Sequence, residues 1–143
     1  MLKSSNWSEM DYQISDMDLH CDNRGYLFEA MRFETQEMPV NGQLYVYSVE
    51  PKARRGDHYH EHKQEWFFCA SGEVKLFLKT RSGEIVEDVL TSHAPRMVYV
   101  GPGTSHAVEN VKSEQVAVIV AYSSKEFDPK NPDTIIEEVK IHG

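Results

Sequence analysis

Apolar residues fall in short runs along this chain, each closed by polar or turn-forming residues, and the spacing predicts strands rather than helices. Candidate strands are residues 25–33, 44–49, 57–60, 65–71, 73–80, 85–90, 97–100, 105–111 and 115–122. Asn41-Gly42, Arg81-Ser82-Gly83 and Gly101-Pro102-Gly103 fall between apolar segments and mark turns. Within Val74-Lys75-Leu76-Phe77-Leu78 the mixed order suits a strand covered on most of both faces. Residues 133–140 fit a helical turn or a terminal strand. Many short strands at near-regular spacing predict an all-β sandwich or closed barrel. The chain shows no internal repeat, low-complexity tract or linker.

The spacing of polar residues inside those strands adds chemistry. His58-Tyr59-His60, then Glu65 and Gly72, is a metal-ligand pattern, and Gly103-Thr104-Ser105-His106 with Asn110 supplies its second half. Side chains two apart on a strand share a face, so His58 and His60 point together while Tyr59 points away. Glu65 has the wrong parity for that strand, but the polar stretch 61–64 can turn the chain and bring Glu65 in from the next one. Gly72 is expected to form a tight turn between the runs 65–71 and 73–80. His106 follows a Gly-Pro-Gly corner and enters from a further strand. Three imidazoles and one carboxylate, with no thiolate, suit one divalent ion: Zn, Mn, Fe, Co or Ni. His20 and His93 lack supporting spacing.

Composition narrows the class. At 143 residues the chain reads as one domain, residues 1–143, with a C-terminal arm over 124–143. The net charge of -8 disfavours non-specific nucleic-acid binding. No apolar run approaches a membrane span, and the N-terminus lacks the apolar core of a signal peptide, so the expected location is the cytoplasm. Only Cys21 and Cys69 are present, which argues against a disulfide framework. Cys69 sits among Trp66, Phe67, Phe68 and Ala70 and reads as a buried thiol. The aromatic cluster itself reads as core or dimer interface.

A small barrel with two inward-facing metal motifs resembles the cupin superfamily, a double-stranded β-helix of the jelly-roll kind. More specifically, Arg55-Gly56-Asp57-His58-Tyr59-His60, Lys63-Gln64-Glu65, Pro102-Gly103 with His106, and Phe127-Asp128-Pro129-Lys130-Asn131-Pro132-Asp133-Thr134 with Glu137-Glu138-Val139 resemble one family. It is the C-terminal cupin domain of bifunctional capsular-polysaccharide enzymes acting on UDP-linked 4-keto-6-deoxy sugars. Asp22-Asn23-Arg24-Gly25-Tyr26-Leu27-Phe28-Glu29 resembles a segment these proteins share with the 3,5-epimerase of the rhamnose pathway. The resemblance implies a nucleotide-sugar epimerase, a bound zinc at His58, His60, Glu65 and His106, and a homodimer. Distant relatives of the rhamnose pathway use the His of a similar Arg-Gly-x-His motif as a base without metal, which is the rival reading of His58. Gly101 stands where a proline is common and Gln64 where the capsular family has Asn; both are expected to border the pocket.

Epimerisation beside a ketone needs a base, a partner for the enolate and an acid. Lys63, in the turn between His60 and Glu65, is the first candidate for acid/base, with His62 and Tyr99 behind it. A solvated turn lysine, a surface histidine and a core tyrosine are the plain readings of the same residues. For the diphosphate of a nucleotide-sugar the candidates are Arg32, Arg54, Arg55 and Arg96, since a guanidinium grips phosphate oxygens in pairs. Solvation explains each of them as well. Residues 127–134 are expected to form an arm packed on the barrel or on a partner subunit. A metal-dependent cupin oxygenase and a non-catalytic sugar-binding cupin stay open beside the epimerase.

Overall fold

The computed structural model describes residues 4–112 and 114–141. A 3₁₀ turn at Ser4–Glu9 is followed by β1 (Tyr12–Asp16), β2 (His20–Asp22), β3 (Gly25–Leu27), β4 (Gln43–Val49), β5 (Arg54–Tyr59) and β6 (Glu65–Ser71). The remaining strands are β7 (Glu73–Lys79), β8 (Ile85–Thr91), β9 (Arg96–Val100), β10 (Ser105–Glu109), β11 (Ala117–Ser123) and β12 (Ile135–Ile136). One five-stranded sheet runs β1-β9-β6-β11-β4, a second runs β12-β5-β10-β7-β8, and every pairing is antiparallel. β2 and β3 pair in a separate two-stranded sheet, and from β4 to β11 the chain passes back and forth between the two larger sheets, where among the described residues only β7 and β8 are both sequence neighbours and paired. This is the jelly-roll barrel that the cupin resemblance implies, and an all-β fold of the kind the strand spacing predicts.

Gly72 makes the tight turn expected between the runs 65–71 and 73–80, and the crossing shows what kind of turn it is: β6 and β7 lie in different sheets, so Gly72 turns a corner between layers and closes no hairpin. Its φ of +84° and the approach of Ala117 Cα to within 3.0 Å of where a Cβ would stand leave room only for glycine. The candidate strand 25–33 ends at Leu27, and residues 133–140 take the strand alternative in the two-residue β12. β1 and β2 went unpredicted.

Strand alternation divides the core in two. Inside the sandwich, Phe67, Cys69, Leu76, Leu78, Val98, Val100, Val108, Ile119 and Ala121 pack from both sheets. The opposite side chains of the first sheet, among them Trp66, Phe68, Met97, Tyr99 and Tyr122, face outward, where Trp7 and Met38 cover them. The Trp66-Phe67-Phe68 cluster is therefore core on both faces of its sheet. At about 1.5–3 kcal/mol per fully buried large apolar side chain, these two clusters supply the main stabilisation.

Candidate functional site

Three strand ends set the site. His58 lies near the end of β5, His60 just past it, Glu65 opens β6, and His106 stands second in β10. A bulge aims the first of these. β10 pairs His106 with His58 but Ala107 with Gly56, which leaves Asp57 as the extra residue, with φ +59° beside Gly56 at +102°. The insertion changes parity, so Arg55 and His58, three apart, both face the interior. Arg55 pairs with Val108 and His58 with His106 on that face. The bulged Asp57 is held by Arg54, 2.8 Å from each carboxylate oxygen, and accepts the Val139 amide at 3.0 Å.

The donor atoms of His58, His60, Glu65 and His106 all lie within 4.8 Å of one another, as the two linked spacings require. Glu65 Oε1 stands 2.9 Å from His60 Nε2 and 3.1 Å from His106 Nε2. Tyr45 donates its hydroxyl to Glu65 Oε2. Burial opposes the charge on Glu65, but hydrogen bonds from His106 and His60 hold the carboxyl well below its usual range. His60 Nδ1 meets the Asp133 carbonyl at 2.6 Å. A carbonyl only accepts, so Nδ1 carries a proton. His60 Nε2 then faces Glu65 either with a second proton, as imidazolium, or with its lone pair turned to a cation shared with the carboxylate. Burial disfavours the cation at His60, yet the Glu65 hydrogen bond and charge raise its pKa. At His58 burial, then the neighbouring His106 and His60, push the pKa down to about 4 and leave the imidazole neutral. Burial, then the Glu65 charge, raise Tyr45 far above its ordinary value, so it stays a neutral donor.

Two hollows open beside this cluster and share Tyr45 and His58 as walls. One, of about 320 Å³, is lined by Lys63, Gln43, Ser123, Lys125, Phe127 and Thr134 together with His60 and Glu65. The other, of about 340 Å³, is lined by Tyr47, Arg55, Gly56, His106 and Val108. Lys63 is buried, with Nζ 5.6 Å from the Phe127 ring centroid. Arg55 lies over Tyr47, 5.1 Å from its ring centroid.

Other sequence candidates stay outside. Tyr99 is 1% exposed in the outer core layer, where its hydroxyl donates to the Trp7 carbonyl at 2.7 Å and accepts from Gln64 at 3.0 Å. Gln64 therefore borders Tyr99 and not the pocket. His62 is exposed on the outer side of its turn. Arg54 faces the outer layer, paired with Asp57 and Glu109 over the Phe77 ring. Arg96 is paired with Asp88, and exposed Arg32 lies 3.7 Å from Glu29. Asn110, the last residue of the second motif, is a staple: its amide donates to the carbonyls of Val49 and Gln115. Gly101 donates its amide to Asp11 at 2.8 Å, a bond that proline would lose. Sequence reasoning missed Tyr45, Tyr47, Lys125 and Phe127. The alternation of Gln43, Tyr45, Tyr47 and Val49 was the available signal for the first two.

Comparison with known proteins supplies the lineage. A curated relative, the UDP-2-acetamido-2,6-beta-L-arabino-hexul-4-ose reductase of Pseudomonas aeruginosa, is 28% identical over 120 residues, which is 83% of this chain and 31% of that protein. Among solved structures, the capsular polysaccharide assembling protein CapF from Staphylococcus aureus is 27% identical with a TM-score of 0.65, over 86% of this chain and 34% of that one. The chain thus spans about a third of the length of both. The dTDP-6-deoxy-D-glucose-3,5-epimerase RmlC from Legionella pneumophila, solved with dTDP-4-keto-L-rhamnose, shares the fold at a TM-score of 0.71 and 17% identity, over 84% of this chain and 70% of that one. Residues 20–135 match the family described as the polysaccharide biosynthesis C-terminal domain, and the chain belongs to that family.

Proposed function

We propose that this chain epimerises or isomerises a nucleotide-linked 4-keto-6-deoxy sugar by moving the proton beside the ketone, in the assembly of a surface polysaccharide. The observation that carries the reading is the buried cluster of His58, His60, Glu65 and His106 opening on the same hollow as Lys63. The names of the relatives support the substrate class: one acts on a UDP-linked hexul-4-ose, and another was solved with a dTDP-linked 4-keto sugar. Epimerase and ketoisomerase share removal of the proton beside the ketone; the first returns a proton to the opposite face of that carbon, the second delivers one to the neighbouring carbon while a hydroxyl proton moves between the two oxygens.

The donor set fits one divalent ion, zinc by resemblance, since three imidazole nitrogens and a carboxylate oxygen converge without a thiolate. When bound, such an ion polarises a ketone oxygen as a Lewis acid. The chain's own residues do the rest. Lys63 Nζ, buried against the hollow, takes the α-proton, and inversion is completed by a second donor that returns a proton on the opposite face. Tyr45 holds Glu65 in register with the imidazoles. Arg55 grips the diphosphate from the second hollow, and Tyr47 beneath it restricts the guanidinium. His58 lines both hollows, which favours a second reading in which it is the base and no metal takes part. The working form is a homodimer in which the second copy covers Leu44 and Val46 of edge strand β4, 63% and 61% exposed; sedimentation reads this directly, and a monomer would refute it.

Elemental analysis of protein purified without chelator, combined with deuterium incorporation from deuterium oxide into a panel of UDP- and dTDP-4-keto-6-deoxy sugars, tests the assignment. The expected result is about one equivalent of metal and exchange at the carbon beside the ketone. Exchange by protein with less than about a tenth of an equivalent of metal would transfer the chemistry to His58. No exchange with any sugar would remove the epimerase reading.

A further inference from the structure

Asp133 is not among the groups that bind or react in the account above, yet it touches the reacting turn at four points. It sits after Asn131-Pro132 with φ +52°, a left-handed conformation that Asp tolerates better than most residues. Its carboxylate accepts the backbone amides of Glu61 at 2.8 Å, His62 at 3.0 Å and Lys63 at 3.0 Å. Its own carbonyl accepts the Nδ1 proton of His60 at 2.6 Å. One residue of the C-terminal arm thus holds four consecutive residues, 60–63, from 70 or more positions away.

We propose that Asp133 is a positioning residue: its carboxylate folds the turn that aims Lys63 into the hollow, and its carbonyl fixes which nitrogen of His60 carries the proton. The two effects come from different atoms. The carboxylate replaces water at three amides of an exposed turn and so orders the segment between two ends of the cluster. The carbonyl leaves His60 Nε2 facing Glu65 and His106, because Nδ1 is already committed. The left-handed backbone is what lets side chain and carbonyl face the same turn. Residues 127–134 are then part of the site rather than packing around it, since Phe127 and Thr134 line the Lys63 hollow and Asp133 holds the turn that carries Lys63.

The consequence for turnover rests on the proposed epimerase reading; the ordering of the turn does not. Asp133→Asn keeps shape and backbone preference but turns one acceptor oxygen into a donor, so part of the amide cap must fail. In metal-free, substrate-free protein, amide hydrogen exchange at residues 61–63 is expected to quicken roughly 10-fold to 100-fold, the range for losing a charge-assisted bond. Asp133→Ala additionally disfavours the left-handed backbone, and labelled-imidazole NMR is expected to show His60 losing its Nδ1-protonated form. On a sugar that the wild type exchanges, both variants should lower kcat about 10-fold with KM within about 2-fold. Wild-type amide exchange in Asp133→Asn would overturn the proposal, as would an unchanged His60 spectrum in Asp133→Ala. Should Asp133→Ala fail to fold, Asp133→Gly, which keeps the left-handed backbone and removes the cap, gives the amide readout alone, with the same expectation. Should the wild type exchange no sugar, the activity reading falls while the amide data still decide the role of Asp133.

Discussion

The two ends of the sandwich interior use the same strands and the same faces for opposite purposes. Along β6 the inward positions run Glu65, Phe67, Cys69; along β10 they run His106, Val108. β4 runs Gln43, Tyr45, Tyr47, Val49, and β11 read backwards runs Ser123, Ala121, Ile119, Ala117. At the mouth each strand presents a polar group, and deeper each presents an apolar one. Burying Glu65 costs desolvation that His106 and His60 outweigh only while they are held in place. The closely packed deep end keeps the strand ends, and with them those partners, rigid. Stability and chemistry are thereby assigned to different lengths of one strand.

Breaking the deep end should have the largest effect. Leu76→Ala, in a fully buried position, is expected to lower unfolding free energy by about 2–5 kcal/mol in denaturant titration while the folded fraction keeps its metal-binding stoichiometry. Loss of metal at conditions where the variant stays folded would show that the two ends are not separable.

The neighbouring arginines sharpen the contrast. Arg55→Ala should weaken binding of a nucleoside diphosphate about 10-fold in calorimetry, with stability within about 0.5 kcal/mol of wild type. Arg54→Ala should do the reverse: its half-buried links to Asp57, Glu109 and the Val139 carbonyl predict a stability loss of about 1–2 kcal/mol and unchanged affinity. Equal effects of the two on binding would mean that the bulge does not sort them.

A smaller effect is expected from pH. His58 has a pKa lowered from 6.5 to about 4, so the unfolded chain binds the proton more readily than the folded one. Its contribution to stability is therefore complete above about pH 6.5 and lost as pH falls toward 4. His60, with a raised pKa, works the other way, its contribution present below 6.5 and lost above. Comparing metal-free wild type with His58→Gln isolates the first: the stability difference should grow by about 1–2 kcal/mol across that window, the shift being discounted for partial exposure. A difference independent of pH would show that His58 is not held neutral by its surroundings.

Much of the mouth was legible because metal spacing is a local code. The His58-x-His60 parity, the offset of Glu65 and the corner before His106 depend on short stretches of chain, and the structure brings all four together. What the sequence hid was non-local. Arg54 and Arg55 are indistinguishable until the bulge at Asp57 is known, and a bulge is defined by its partner strand. Gly72 was legible as a tight turn because two apolar runs flank it, but nothing local says that the runs belong to different sheets. Tyr99 has the composition of an acid/base candidate and the parity of an outward residue, and parity decided. Asp133 lies in the family-like segment 127–134, but nothing local gives it a role; its importance comes from where the arm returns.

The central claim is that Lys63 moves a proton at a site held by the four-residue cluster. Its most direct test is the rate of deuterium incorporation beside the ketone by Lys63→Ala, with metal content measured on the same sample. Exchange slowed roughly 10²-fold to 10⁴-fold with metal content unchanged is the expected result. Exchange at the wild-type rate would contradict it and remove Lys63 from the chemistry.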